Sequence, residues 1–333
     1  MAKHRRMIII FTILVFISIS LYLFFWMVTT PYQLFPKDAQ LKVVMQKAIT
    51  NIIGRKFDQV IGMTIAAILI ASSSLVFQTI TENRILTPSL IGFDAVFVTV
   101  QTLIVFLFTS SSIFYTNPYL NFVLASGLMI MISLSMYRII LKKNKNHLVF
   151  LLLVGMILST LSRSLASFLQ NIMDPMEFQS IVIRTEVTVS NMNTSIIYMS
   201  IPFLLIISFL FIKNFKTYDV MTLGESQAIG LGVEYQKKMN YALIYMAIAM
   251  SITTALIGPI SFLGLITVNA SRELLKTHKH LPLFILSSLI AMLMLILGQT
   301  IIIETGYMTT VSVWISLVGG IYMIYLLLKE NEA

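Results

Sequence analysis

Apolar residues in this chain fall into long blocks separated by short polar breaks, with few charges inside the blocks. An α-helix needs about 20 residues to cross about 30 Å of hydrocarbon, where no water satisfies the backbone, so blocks of this length predict spanning helices. They lie at Met7–Val28, Phe57–Thr81, Ser89–Phe114, Tyr119–Leu141, His147–Ile172, Thr194–Ile212 and Met239–Leu256, followed by a block opening within Gly258–Asn269, then Leu281–Ile303 and Thr310–Leu328. The pattern predicts an all-α polytopic membrane protein with ten transmembrane helices, a single transmembrane domain across residues 1–333. After Leu256 too little chain remains for an ordinary loop, so Gly258 and Pro259 read as a sharp reversal into the eighth span. Lys37–Ile53 reads as a surface helix between the first two spans. In the second block Ala66, Ala67, Ala71 and Ser72–Ser74 are small enough to let helices pack closely in lipid.

The longest polar island facing the charged side is Tyr218–Lys238, YDVMTLGESQAIGLGVEYQKK. Within it Glu225–Ile229 reads as about one and a half helical turns, opened by Gly224 and closed by Gly230 and Gly232. A short helix outside the membrane is a place for a soluble partner to push, whereas the plainer reading is an interhelical loop. Periodicity alone leaves both open.

Composition sharpens the class. Hydrophobic residues make up 57% of 333 and charged residues 11%, leaving almost no material for a soluble domain. The net charge of +9 follows from Lys and Arg clustering at the inner ends of spans. About sixteen basic residues fall on the inner side and about six on the outer, which places both termini and the 218–238 island in the cytoplasm. Met7–Val28 is too long for a signal-peptide core and reads as a retained span. Basic patches interleaved with exposed aromatics are not seen, so no nucleic-acid partner is expected.

Candidate chemistry is sparse. Cys is absent, and His4, His147, His278 and His280 fall in polar ends, too scattered for a metal site. No GxxxxGK[ST] loop, HExxH or intramembrane Ser/His pair occurs, so any ATP must be hydrolysed by another subunit. The acid clearly inside a span is Asp94, read either as a helix-start residue bonded to backbone or as part of a transport path. Arg163, within span five, is expected to pair with a carboxylate or carbonyl, or to face a wet cavity. The 21 Met residues read mostly as adaptable packing, with a cavity wall for bulky cargo as the further use.

Three stretches carry a resemblance: TLGESQAIGLGV (Thr222–Val233), GPISFLGLITVNASR (Gly258–Arg272) and SLVFQTITENRILTPSLIGFDA (Ser74–Ala95). Together with the closing VSVWISLVGGIYMIYLLLK they resemble, in matching order and spacing, the permease subunits of iron-siderophore and vitamin B12 ATP-binding cassette (ABC) importers, the FecCD type. ENRILTP followed by GFDA is most similar to the branch serving catecholate and mixed-ligand siderophores such as anguibactin and petrobactin.

The resemblance implies the type II importer permease fold: two permeases side by side, identical or homologous, with two cytoplasmic ATPases and an extracytoplasmic binding protein. ATP and Mg would sit on the ATPases, with no cofactor in this chain. It implies that Leu223, Gly224, Glu225, Ala228, Leu231 and Gly232 form a coupling helix seated in the ATPase, and that Asn83 and Ile85 stand at the cytoplasmic gate. Gly258, Phe262, Gly264, Leu265 and Arg272 match the short span after the reversal. Arg55 and Lys56 lie where relatives dock the binding protein, and Asp94 and Arg163 are candidates for the path. The chain departs from the pattern at Arg84, where Pro is frequent, and at Val268–Asn269 in place of Pro-His. It also has Asp58 and Gln59 where a second Arg is common, and Met308 and Thr310 in place of Glu and Pro. The expected activity is ferric siderophore import across the bacterial cytoplasmic membrane. The alternatives are a haem or cobalamin permease of the same family and, from another class, an ion-coupled carrier or membrane enzyme.

Overall fold

The computed structural model describes residues 2–29, 39–143, 148–187, 189, 192–305 and 309–331. The sequence readings at Lys37, Lys145, His147 and Met308 lie outside these residues. Among the described residues the chain is helical: α1 (Ala2–Thr29), α2 (Ala39–Ile80), α3 (Phe93–Phe108), α4 (Ile113–Thr116), α5 (Pro118–Lys143), α6 (Leu148–Ile172), α7 (Pro175–Thr185), α8 (Thr194–Met221), α9 (Glu225–Gly230), α10 (Tyr235–Ile257), α11 (Leu263–Leu275), α12 (His280–Glu304) and α13 (Val311–Asn331). Seven of these, α1, α2, α5, α6, α8, α10 and α12, are long and apolar enough to cross a membrane among the described residues. Shorter apolar helices lie in α3 and α13, and α11 has 13 residues. These helices lie at the predicted apolar blocks, and seven of them, against the ten expected, reach spanning length among the described residues.

Four boundaries differ from the sequence reading. The surface helix and second span are continuous, because no proline interrupts Ala39–Ile80 and one 42-residue helix runs through both, Gly54 and Gly62 included. The third block is broken at each end: a 3₁₀ turn at Pro88–Ile91 precedes α3, and Thr109, at φ 67°, ends it before α4. Gly92 makes the first break, with φ 100° and no room for a Cβ, which would sit 2.1 Å from Ser159 Oγ of α6. The outer segment after α6 contains α7, opened by Asp174, whose side chain accepts from Met176 N–H. Finally, α8 runs to Met221, nine residues beyond the predicted end at Ile212, or about 13 Å at 1.5 Å per residue.

The bundle is assembled around α2, against which α8, α10, α11 and α12 pack. Residues 65–80 of α2 are buried on nearly every side, so this stretch presents no face to its surroundings. Its small residues make that possible. Gly264 of α11 lies so close to Ser74 that a Cβ would come within 1.8 Å of the hydroxyl oxygen, which is why α11 needs glycine there. Buried hydroxyls on α2 differ: Ser72 Oγ donates to Leu69 O (3.1 Å), whereas Ser73 Oγ has no hydrogen-bond partner among the described residues. The start of α1 and the ends of α2, α8 and α11 meet at one end of the bundle, with the starts of α10 and α12: His4 Nε2 is 3.0 Å from Leu275 O, and Tyr235 OH donates to Ile80 O at 3.4 Å. This is the end that carries Arg84, Lys237, Lys238, Lys276 and Lys279, and it is called the basic end below.

Candidate functional site

The 218–238 island folds as a hairpin of helices at the basic end. Helix α8 closes through N–H bonds from Thr222, Leu223 and Gly224 to Tyr218, Val220 and Met221 carbonyls, each 3.1 Å. Gly224 then takes φ 95° and ψ 159°, a conformation open essentially only to glycine, which turns the chain into α9. Helix α9 ends in a Schellman motif: Val233 N–H reaches Ala228 O at 3.0 Å and Gly232 N–H reaches Ile229 O at 2.9 Å, with Gly232 at φ 85°. Of the two closing glycines read from sequence, Gly230 is inside the helix and Gly232 performs the closure.

This geometry sorts the residues of the stretch by side. Ala228 is fully buried against the bundle, whereas Leu223, Ile229 and Leu231 are 51%, 54% and 65% exposed. Ile229 on the short helix and Leu223 and Leu231 beside it form an exposed apolar patch at the charged end, outside the predicted spans. Beside them Glu234 accepts a hydrogen bond from Lys237 at 2.9 Å, and that bond holds its exposed carboxyl below the usual carboxylate range.

The platform is tied to the turn between α2 and α3. Glu225 N–H, one of the unpaired donors at the start of α9, donates to Glu82 Oε1 at 3.2 Å. Gln236 Nε2 lies 3.5 Å from Glu225 Oε1, and Lys238 Nζ donates to Asn214 Oδ1 at 2.9 Å. Glu82 itself caps α2 in a second Schellman motif, with Glu82 N–H to Thr79 O (3.3 Å) and Asn83 N–H to Gln78 O (3.2 Å). Glycine is the usual occupant of that position. Glu82 adopts φ 49° there, a left-handed conformation that costs an L-residue roughly 1–2 kcal/mol. Asn83 Oδ1 then accepts from Ile85 N–H at 2.8 Å, an Asx turn that sets the loop. Asn269 Nδ2 of α11 donates to Arg84 O at 2.9 Å. The two departures noted in the sequence, at residues 84 and 269, therefore meet.

Below this turn lies a contact that the sequence reading missed. His280, placed among scattered polar ends, is fully buried at the start of α12. Its Nδ1 and backbone N–H are 2.6 and 2.7 Å from Asp219 Oδ1 of α8, and its Nε2 is 2.9 Å from Thr79 Oγ1 of α2. One imidazole joins three helices. The available signal was a lone acid in the polar end of one helix and a His opening another, which spacing does not connect.

Asp94 and Arg163 come together at a different place. A cavity of about 450 Å³ is lined by Thr87, Asp94, Ser159, Thr160, Arg163 and Ser261, among others. Asp94 lies in the first turn of α3 but makes no backbone cap, and its Oδ2 accepts from Ser261 Oγ at 2.7 Å. Ser261 stands in the reversal before α11, where Phe262 is held at φ 64°. Arg163 is exposed on α6 and forms no ion pair within 4 Å among the described residues.

At the opposite end the docking candidates separate. Arg55 is exposed, but Lys56 is buried, with Nζ 3.5 Å from Tyr22 OH and 5.5 Å from the centre of that ring. Asp58 accepts from Thr194 Oγ1 and Tyr198 OH, each at 2.9 Å, and Gln59 Oε1 accepts from Tyr22 OH at 2.5 Å. Further round, Arg184 of α7 donates to Asn121 Oδ1 (3.3 Å) and Tyr115 O (3.2 Å), while Asn121 pairs with Gln101. Burial pulls the Arg184 guanidinium below its ordinary value. Among the described residues no group of three or more His, Asp or Glu is placed to hold a metal ion.

Comparison with known proteins gives a consistent picture. The model of the FecCD transport family matches residues 9–329. The petrobactin import system permease protein YclO of Bacillus subtilis (strain 168) is 41% identical over 280 residues, covering 84% of this chain and 89% of that protein. The petrobactin import system permease protein FatC of Bacillus anthracis is 31% identical over 281 residues, covering 84% and 79%. Among solved structures, an inward-facing conformation described as a metal-chelate type ABC transporter superposes with a TM-score of 0.81 at 21% identity, covering 98% of this chain and 99% of that one.

Proposed function

Because the chain belongs to the FecCD transport family, we propose that it is the membrane permease subunit of an ABC importer that carries ferric siderophore across the bacterial cytoplasmic membrane. A chelate of the petrobactin type is the cargo favoured by its relatives. The observation that carries the reading is the α9 platform, which buries Ala228, presents Leu223, Ile229 and Leu231, and is hydrogen-bonded through Glu225 to the turn that bears Asn83 and Ile85.

In this reading the basic end faces the cytoplasm and α9 sits in a cleft of a soluble ATPase, which holds the ATP and Mg. A second permease, identical or homologous, completes the path, and an extracytoplasmic binding protein delivers the chelate at the opposite end. Closure of the ATPases on ATP pushes α9, the push reaches the 82–88 turn, and the gate at Asn83 and Ile85 changes state. That is alternating access driven by a partner, with no bond made or broken by this chain. Asp94 and Arg163 stand beside one cavity as polar partners for groups of a passing chelate. Arg55 is the exposed cation available to an acidic face of the binding protein, whereas the charge of Lys56 is engaged internally.

The test is Glu225→Lys in cells lacking and regaining this chain, with uptake of radioactive iron measured on a panel of defined siderophores. Uptake restored by the natural chain and reduced by about tenfold or more in the variant, a loss of about 1.4 kcal/mol of coupling, is expected. Full uptake by the variant removes α9 from the mechanism. Restoration only with haem or cobalamin replaces the cargo.

A further inference from the structure

The end of α2 carries a residue whose conformation and side chain pull in different directions. Glu82 occupies the left-handed closing position of a Schellman motif, at φ 49°, where glycine fits without strain. Its side chain is exposed, so burial gives no reason for a carboxylate there. What the carboxylate does is accept the Glu225 N–H at 3.2 Å, a bond from the gate turn to the first residue of α9, 143 positions away in sequence. Strain kept at a position for the sake of one side-chain contact marks functional sites.

The surroundings make that contact a transmission point. Directly behind it, Thr79 is joined through His280 to Asp219, so the last turn of α2 is held to α8, from which α9 hangs. Directly after it, Asn83 sets the turn through Ile85 N–H, and Arg84 O is held by Asn269 of α11. The α2 and α8 ends are thus joined, and across to the platform Tyr235 OH donates to the Ile80 carbonyl while the Glu82 carboxylate reaches the first residue of α9. A displacement of α9 along its contact with Glu82 arrives at the residue immediately before Asn83.

We propose that Glu82 is a positioning residue that transmits movement of α9 to the gate turn, so that ATP hydrolysis and gate opening stay in step. The proposal rests on the reading of α9 as the ATPase contact. It concerns the acceptor oxygen of Glu82, not its charge.

The test uses the whole complex in lipid vesicles: this chain, its partner permease, the ATPases and the binding protein, with iron-loaded petrobactin as the probe. Two quantities are read, ATP hydrolysed and iron taken up. Glu82→Gly relieves the left-handed strain and removes only the side chain, so its thermal stability should match or exceed that of the natural chain. Its uptake per ATP should fall by about fivefold or more, the lower end of allosteric coupling factors, while Glu82→Gln, which keeps an acceptor oxygen, stays within about twofold. Uptake per ATP unchanged in Glu82→Gly overturns the proposal, as does a Gln variant that falls as far as the Gly variant. Failure of Glu82→Gly to assemble with the ATPase overturns it too, by making Glu82 an assembly contact. If Glu82→Gly melts at a lower temperature, Glu82→Ala against Glu82→Gln decides on the same ratio. Should the natural chain neither bind nor stimulate the ATPase, it is the reading of α9 that fails, which is a separate result.

Discussion

The two ends of the bundle both carry polar networks, and they are built differently. At the opposite end Arg184 donates to Asn121 and to the Tyr115 carbonyl, Asn121 exchanges two bonds with Gln101, and Tyr115 OH donates to Ser180 O at 2.6 Å. The guanidinium also lies 5.1 Å from the centre of the Tyr115 ring. These groups satisfy one another within α3, the α4–α5 corner and α7, so the network closes on itself and holds its helices in one arrangement. At the basic end the contacts tie the end of α2 to its neighbours: Asp219 to His280 to Thr79, Tyr235 OH to Ile80 O, and Glu82 to Glu225. They pass through a residue in a left-handed conformation and finish on a platform whose apolar tips face outward. The first network holds helices to one another, whereas the second joins the end of α2 to an exposed platform.

Substitutions should separate the two. The largest effect is expected from Leu223→Asp combined with Leu231→Asp, which puts charge on both exposed tips. Affinity for the ATPase, measured by titration of the purified permease, should fall by about thirtyfold or more, the loss of a hot spot of about 2 kcal/mol, with the melting temperature of the permease unchanged. Next comes the opposite end, where Arg184→Ala leaves Asn121 and the Tyr115 carbonyl short of a partly buried donor. A loss of about 1–3 kcal/mol is expected, read as a lower melting temperature in detergent, while uptake per ATP stays as in the natural chain. Gln101→Leu removes one member of the same network and should cost about 1 kcal/mol by the same measurement. A change in uptake per ATP with either substitution would erase the distinction between the ends.

The smallest effect belongs to the exposed pair Glu234–Lys237. The Glu234 carboxyl is held below its ordinary range by the Lys237 hydrogen bond, so whatever the pair contributes is present above the unfolded carboxylate value and lost as pH falls through the lower folded one. With both side chains in solvent, Glu234→Gln should leave the melting temperature unchanged from neutral pH down through the carboxylate range. A measurable drop would mean that surface charge supports the platform.

Part of this was legible in the sequence because it depends on local chemistry. The apolar blocks located the helices to within a few residues at most ends, and Gly224 and Gly232 bracketed α9 because positive φ is costly for other residues. The reversal at Gly258 was legible for the same reason, φ being 90° there. Glu82 was not legible, since nothing about a glutamate announces a left-handed cap, and ENRILTP reads simply as a polar break. Nor was the burial of Lys56, whose long apolar stem lets a surface-type residue lie against Tyr22. The continuity of α2 was hidden because a polar segment reads as a separate surface helix whether or not the backbone bends.

What the sequence determined by itself is the solvent and the menu of elements: apolar blocks of spanning length demand helices, and the distribution of Lys and Arg gives them a direction. It also placed a short helix between two glycines and, by resemblance, gave it a partner. The tertiary structure alone decided which groups meet across more than a hundred residues: the Glu82 carboxylate with Glu225 N–H, Thr79 with His280, the Asn269 amide with the Arg84 carbonyl, Asp94 with Ser261. Those pairings depend on how helices cross and how deeply each is set, quantities fixed by packing around α2 and by close approaches such as Gly264 on Ser74, and local sequence carries no record of them.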